Sequence, residues 1–530
     1  MKLDANLLYK NVKLISEIIN LIIRFNYEKR DVFMKLRELL KDVSYELVQG
    51  NLDIEISDIN YDSRKVNEGT AFVALKGFRV NGHDYIDKAI ELGCKVIIVC
   101  EDVNVDESIT VIKLEDTRVD LSKISRTLFG YPDKEMTTIT VTGTKGKTTT
   151  SSMIKKVLDD SGNACGIIGT LGVSFLDKYY HSVNTSPESY DVFKYMREML
   201  DNGVRYLVME VSSQSLKLKR WSNVIFDYAI FTNLSLDHVG DDEHDSFEEY
   251  MFCKRELFKQ CKFGIFNGDS KYFSYMSKDC SGKVYTFGYN DDADYRLISS
   301  KNIIDNGFMG IEMVVDGAIN DNFRVSVPGS FTAYNTIACI SVCDMLGIDR
   351  QIIKKSLENI FVKGRLEPVR ISNKFSLLID YAYQGIAMEN ILSTIKESNP
   401  KRIVTVFGCG GNRSRQRRFD CGEVSGKYAD LSILTADNPR YEENDDIVKD
   451  ILVGMNKTNG EYIIISDRKD AIRYAIENAL DGDVILVLGK GHEDYQEING
   501  VRYPFDERIV IREIIDDMSE EEKSKLGIII

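Results

Sequence analysis

Apolar and polar positions along the chain fall into two alternating patterns: short β-branched runs closed by Gly or polar turns, and longer stretches with helical spacing. Between about residues 34 and 133, runs at 70–75 and 95–99 flank a helical pattern over 84–92, which predicts a small α/β domain. Between about 134 and 362, runs at 138–141, 206–211 and 228–232 predict further strands. A helix follows, with Phe247, Tyr250, Met251, Leu257 and Phe258 on its apolar face and Lys254 among them. A lysine so placed ordinarily snorkels to the surface. From 363 to 530, strands are predicted at 377–380, 403–407, 431–434, 462–465 and 484–488. The helical stretches between them have the length of crossover connections, so a parallel, doubly wound sheet is expected. Residues 1–33 stand apart. Their apolar stretch at 14–25 is broken by Glu17, Asn20 and Arg24, and no small-residue cleavage site marks it as a signal peptide. It reads as an amphipathic N-terminal helical extension, docked on its own protein or offered to a partner or membrane surface.

Length agrees with this partition, because 530 residues exceed one core and suggest about three domains. A net charge of −15 argues against general nucleic-acid binding, since a polyanion would be repelled. Against that acidic background Arg413, Arg415, Arg417 and Arg418 cluster, either around a small anionic ligand or on a solvated loop. Ten cysteines without a C-x-x-C pair, and no secretory signal, lead us to expect reduced thiols in a cytoplasm. No apolar run is long enough to span a membrane.

The chemistry centres on Thr137-Thr-Ile-Thr-Val-Thr-Gly-Thr-Lys-Gly-Lys-Thr-Thr-Thr150. A strand, a Gly-containing turn and a helix opening near Lys147 form the context of a phosphate-binding loop. Gly143 and Gly146 let backbone N–H groups close on a polyphosphate. Lys147 would reach the β/γ-phosphates, and the Thr148 hydroxyl would ligate Mg²⁺. The strict G-x-x-x-x-G-K-[ST] pattern needs Gly at 141, where this chain has Val141, so the loop is a compressed variant. A Gly-rich turn with a chance lysine is the plainer alternative. Glu210 ends its strand where ligands gather in open α/β sheets. Three polar loops, 408–413, 437–440 and 489–493, follow strand C-termini and look like one binding surface. Asp62-Ser-Arg64 and the stretch 77–83 read as capped turns, with a binding role as the alternative.

The loop Thr142-Gly-Thr-Lys-Gly-Lys-Thr-Thr149 resembles the ATP loop of the Mur ligases, cytoplasmic enzymes that build the peptidoglycan stem peptide. Asn184-Thr-Ser-Pro-Glu188, Glu210-Val-Ser-Ser213, Phe231-Thr-Asn-Leu-Ser-Leu-Asp-His238, Gly364-Arg365 and Asp380-Tyr-Ala382 match in order. Gly408-Cys-Gly-Gly411, Asp437-Asn-Pro-Arg440 and Gly489-Lys-Gly-His-Glu493 complete the series, and the resemblance runs from about residue 34 to 515. It is strongest to the members that add the third stem residue, a diamino acid. The resemblance implies a three-domain α/β fold: an N-terminal UDP-substrate-binding domain (34–133), a central P-loop ATPase with a parallel sheet (134–362) and a Rossmann-like amino-acid-binding domain (363–530). It implies an ATP-dependent, Mg²⁺-using amide ligase that works through an acyl phosphate. Its expected substrates are ATP, a UDP-muramoyl-dipeptide and a diamino acid, meso-diaminopimelate, and its expected state is a cytoplasmic monomer.

By the same resemblance, Gly143, Thr144, Lys145, Gly146, Lys147, Thr148, Thr149, Asn335, Arg365 and Asp380 would hold ATP. Ser63, His83, Thr185, Ser186 and Ser213 would hold the UDP-substrate. Arg413, Asp437, Asn438, Arg440, Gly489 and Glu493 would surround the incoming amino acid. Lys147, Glu210, His238 and Lys254 would be catalytic, with Thr148, Glu210, His238 and Lys254, the last as a carbamate, around metal. Four features depart from the family pattern: Gln214 and Tyr383 stand where histidines are usual, Asn412 replaces an aspartate, and the loop 239–246 is about two residues longer. The reading is an active, divergent ligase. A paralogue joining another amino acid to a UDP-linked or different acid and a catalytically weak nucleotide-binding homologue are the alternatives, and the presence of Lys147 and Lys254 weighs against the second.

Overall fold

The computed structural model describes residues 33–529 except 78–79, 183, 237–239, 241–243, 362–363 and 365. The extension predicted at 1–33 lies outside these residues but for Phe33. Contacts divide the chain into two compact units, the first formed by residues up to 135 with 187–202 and 214–224, the second by the rest.

The first unit is built on a five-stranded sheet in the order Glu46–Gln49, Thr110–Lys113, Val96–Val99, Thr70–Val73, Asp58–Asn60. The last four strands run parallel. The strands Thr70–Val73 and Val96–Val99 are buried at every position, which is why they read as unbroken apolar runs. The helix predicted at 84–92 begins as a tight 3₁₀ turn, Gly82–Tyr85, and continues as Ile86–Glu91. The helix Ser189–Asp201, far away in sequence, packs in this unit through two tyrosine–carboxylate pairs. Tyr190 Oη donates to Asp58 at 2.8 Å, and Tyr61 Oη donates to Asp191 at 2.5 Å. Burial pushes both carboxyl groups upward.

The second unit carries two large sheets, besides a two-stranded hairpin of Tyr495–Ile498 with Val501–Pro504. The larger has 11 strands, ordered Lys178–Tyr180, Gly172–Phe175, Cys165–Gly169, Tyr206–Glu210, Thr137–Thr142, Phe226–Phe231, Cys261–Asn267, Lys283–Gly288, Tyr295–Asp305, Phe308–Gly317, Asp321–Val325. The predicted parallel character holds for the inner strands, from Cys165–Gly169 across to Tyr295–Asp305. Antiparallel hairpins extend both edges. Helices Lys147–Asp160 and Ser330–Met345 pack together on this sheet. Met153, Ile154 and Val157 of the first and Ala333, Ile337 and Ile340 of the second fill the core.

The smaller sheet runs Glu367–Pro368, Ser376–Asp380, Asp483–Leu488, Arg402–Phe407, Leu431–Leu434, Glu461–Ile464. Its last five strands are parallel, and each predicted strand lies within a residue or so of an observed one. Met388, Leu392, Ile447 and Ile451 cover one face; Ala471, Ile472, Ile511 and Ile514 cover the other. This is the doubly wound arrangement, in which ligands sit beyond the strand C-termini.

Candidate active site

The strand Thr137–Thr142 feeds a loop at 143–146, and the helix Lys147–Asp160 opens directly after it. Gly146 caps that helix at φ +84°, and a Cβ there would stand 2.2 Å from Asn335 Oδ1. Only glycine meets both demands. Asn233 pins the loop from another side: its carbonyl accepts the Thr144 N–H at 3.0 Å and its side chain the Lys145 N–H at 2.9 Å. The first N–H groups of the helix have no intrahelical acceptor, a setting that favours phosphate. Thr149 lies half-buried in the first turn.

Two lysines meet on one carbonyl here. Lys147 Nζ donates to Gly143 O at 2.9 Å and to Thr144 O at 3.1 Å. Lys254 Nζ, arriving from the helix Phe247–Glu256, donates to the same Gly143 O at 3.0 Å. The side chain of Lys254 is buried, and its ammonium lies 4.7 Å from the centre of the Tyr250 ring. The snorkelling expectation fails because a carbonyl and an aromatic face solvate the charge inside. Tyr250 Oη in turn shares a 2.9 Å hydrogen bond with Thr144 Oγ1.

Glu210 is 1% exposed and accepts from Thr148 Oγ1 at 2.9 Å, Thr170 Oγ1 at 3.1 Å and the Thr170 N–H at 3.0 Å. Its approach requires Gly169, where a Cβ would stand 2.2 Å from Glu210 Oε1. A carboxylate and two hydroxyls are hard oxygen donors that fit Mg²⁺. A cavity of about 290 Å³ opens beside Thr148 and Glu210. Ser186 Oγ donates to Glu210 O at 2.8 Å, and Thr185 Oγ1 lies 3.1 Å from Thr170 Oγ1. Ser213 Oγ is 2.8 Å from Nε2 of His244, a buried histidine whose role the sequence reading missed. The Asp380 carboxylate accepts the N–H groups of Leu366 and Ala382 at 2.7 and 2.8 Å, shaping the turn after Gly364. His238 and Arg365 lie outside the described residues.

In the first unit, Ser63 is buried in a 3₁₀ turn capped by Asp62. The His83 ring is held at both nitrogens: Nδ1 is 2.8 Å from Asn81 Oδ1, and Nε2 accepts the Cys100 N–H at 3.1 Å. That acceptance needs a lone pair on Nε2, so the ring is neutral with its proton on Nδ1, and burial lowers its pKa in the same sense.

The doubly wound sheet ends in a cavity of about 300 Å³ that all six residues expected around the amino acid line: Arg413, Asp437, Asn438, Arg440, Gly489 and Glu493. Of the four clustered arginines, two secure the frame. Arg418 pairs with Glu442 and Asp450, and Arg415 pairs with Asp450. Arg413, Arg417 and Arg418 line the cavity, so Arg418 serves both frame and lining. Arg440 has a left-handed backbone, φ +54°, held by Arg440 N–H to Glu497 O at 3.0 Å. Its Nη1 donates to Gly411 O at 2.7 Å and its Nε lies 3.5 Å from Glu497. Part of its donor set is therefore engaged within the protein. Glu493 accepts from Asn438 Nδ2 at 2.8 Å and lies 3.4 Å from Nζ of Lys490, a fully buried lysine. Lys490 had no role assigned from sequence, although the i, i+3 spacing to Glu493 within the Gly-rich motif was a usable signal. Tyr381 and Tyr383 add an edge-to-face aromatic wall, with ring centres 5.1 Å apart.

A phosphate loop with buried lysine and carboxylate, and a doubly wound domain ending in an arginine-lined polar cavity, define a nucleotide-dependent ligase joining an acid to an amine. Family models agree along the chain: Mur ligase family, catalytic domain over 55–127, Mur ligase middle domain over 141–343, and Mur ligase, glutamate ligase domain over 364–491. The UDP-N-acetylmuramoyl-L-alanyl-D-glutamate–2,6-diaminopimelate ligase of Caldanaerobacter subterraneus subsp. tengcongensis is 41% identical, covering 91% of this chain and 99% of that one. The Clostridium perfringens ligase of the same name is 40% identical, covering 91% and 100%. A solved structure of a ligase of that name matches with TM-score 0.71 and 26% identity over 91% of this chain and 99% of its own. The chain belongs to the Mur ligase family and, like its members, is an ATP-dependent, ADP-forming ligase.

Proposed function

We propose that the protein joins meso-2,6-diaminopimelate to UDP-N-acetylmuramoyl-L-alanyl-D-glutamate, using ATP. The observation that carries this reading is the cavity in which Arg413 and Arg440 stand with Asp437, Asn438 and Glu493. Diaminopimelate has two carboxylates and two ammonium groups, and a pocket with both cations and anions matches that charge pattern. The relatives' printed names support the same substrates.

The chemistry follows from the groups present. A carboxylate oxygen of the D-glutamyl residue attacks the γ-phosphorus of ATP, the bond to the β-phosphate oxygen breaks, and ADP leaves. The amine of the diamino acid then attacks the acyl carbon, loses a proton and expels inorganic phosphate. The first step brings anion to anion, so cations and positioning govern its rate. Lys147 supplies a cation at the phosphate loop. Glu210 and Thr148 would hold Mg²⁺, whose chemistry is to offset phosphate charge. Lys254 carries a carbamate on this reading. Two ammonium groups on one carbonyl repel each other; converting one to an anion replaces repulsion with attraction.

The test is a comparison of acceptors with purified protein. Lysine lacks the distal carboxylate, and a charge-assisted contact to that group is worth about 1.5–3 kcal/mol, roughly 10- to 150-fold. Because Arg440 already donates to Gly411 O, the lower part of that range is expected. Arg440→Ala should raise the KM for diaminopimelate and leave that for ATP nearly unchanged. If L-lysine proves the equal or better substrate, the paralogue reading replaces this one. Tyr383 and Asn412, which depart from the family pattern beside this cavity, would then be the residues to exchange.

A further inference from the structure

Directly beneath the cavity lies a fully buried ion pair that no step above uses. Arg468 and Glu507 are both 0% exposed, with Nη2 2.6 Å and Nε 2.9 Å from Glu507 Oε1. Such pairs are poor stabilisers, because desolvation consumes most of the Coulomb gain. Burial accordingly pushes the Glu507 carboxyl upward, against the pull of the Arg468 guanidinium. A different use is visible in the remaining donors. Nη2 of Arg468 also donates to Leu488 O at 2.8 Å, and Nη1 donates to Ala436 O at 3.2 Å. Leu488 is the last residue before Gly489 and Lys490. Ala436 is the last before Asp437 and Asn438.

Leu488 ends its strand and Ala436 lies two residues past the end of Leu431–Leu434, and the two strands are not neighbours. Arg402–Phe407 lies between Asp483–Leu488 and Leu431–Leu434 in the sheet, so no ladder hydrogen bond joins the two. The planar guanidinium spans that gap, and Glu507 fixes its plane from the first turn of the helix Glu507–Asp516. Above it the two loops meet: Lys490 Nζ donates to Asn438 Oδ1 at 3.1 Å, and Asn438 Nδ2 donates to Glu493 at 2.8 Å. We infer that Arg468, oriented by Glu507, is a positioning residue of the amino-acid subsite, setting the spacing between the Asp437–Asn438 loop and the Gly489–Glu493 loop. The inference rests on the proposed role of that cavity.

The test separates positioning from stability. Arg468→Met with Glu507→Leu replaces the pair by apolar groups of similar size, an exchange that folded proteins tolerate, but it removes both carbonyl contacts. The expected result is a folded double variant whose KM for the amino acid rises roughly 10- to 100-fold, with the KM for ATP within about twofold. Arg468→Lys keeps a charge on Glu507 but lacks the fork, and should show the same split. Hydrogen exchange provides a readout independent of substrate. Amides of 436–440 and 489–493 should exchange faster in both variants, while those of 147–150 stay as in the parent. Unchanged exchange in the two loops overturns the inference whatever the substrate is. Faster loop exchange with no ligation by the parent protein leaves the positioning role standing and removes the proposed function instead. A parallel rise in both KM values, or faster exchange throughout, would mark Arg468 as merely structural and also overturn it.

Discussion

Lys147→Ala should lower the rate of ligation by roughly 100-fold or more, the scale on which removing one preorganised charge-stabilising group acts, while the protein stays folded. The side chain ends at the opening of the helix Lys147–Asp160, where its ammonium contacts Gly143 O and Thr144 O. Charge builds on the β/γ-phosphate bridge as that bond breaks, and a cation fixed in a partly desolvated loop acts there more strongly than one in water. The fold should survive, because the loop is also held by Asn233 and by the packing of Met153, Ile154 and Val157. Steady-state ADP release, together with thermal unfolding, reads both halves. Near-normal turnover in the variant would remove the phosphate loop from the mechanism.

The second large effect is expected at Lys254. Lys254→Ala should be close to inactive and should recover in part when acetate is added, since a small carboxylate can occupy the space of the missing anion. The side chain is enclosed by Tyr250 and Gly143 O, so removing it leaves a defined cavity rather than open solvent. Protein prepared with carbon-13 bicarbonate should show a carbamate resonance that the variant lacks. A fully active variant, or an unmodified lysine in bicarbonate, would contradict the assignment.

Much of this site is legible in the sequence because it is local. The strand, glycine turn and helix around Lys147 occupy consecutive residues, and three Gly- or Pro-marked loops follow apolar runs at their C-termini. Side-chain period and turn chemistry are enough for both. What the sequence hides depends on partners far along the chain. Lys254 reads as a surface lysine because its acceptor, Gly143 O, is 111 residues away. Arg468 takes its meaning from Glu507 and two strand ends, and His244 from Ser213. The helix Ser189–Asp201 belongs to the first unit through partners far from it in sequence, Tyr61, Asp58 and Phe129 among them. One long hairpin, by contrast, is marked locally. Asn306-Gly307 joins Tyr295–Asp305 to Phe308–Gly317 with both turn residues at positive φ, the strongest short-range hairpin signal a sequence carries.

The same distinction separates the two halves of the amino-acid cavity. Arg413 and Arg440 stand out in sequence as cations beside Gly- and Pro-marked turns, and both line the cavity. That Arg415 and Arg418 pair with Asp450, and Arg418 also with Glu442, follows from the packing of the helix Arg415–Tyr428 against Asn444–Met455.

Amide formation through an acyl phosphate leaves a trace in where the substrate's carboxylate oxygens go. UDP-N-acetylmuramoyl-L-alanyl-D-glutamate labelled with heavy oxygen in both carboxylates of its D-glutamyl residue is incubated with the protein, Mg-ATP and meso-diaminopimelate. Mass spectrometry should find the amide product, ADP, and inorganic phosphate carrying one labelled oxygen from the substrate. Product formation with unlabelled phosphate, or ATP turnover with no amide product, would contradict the account.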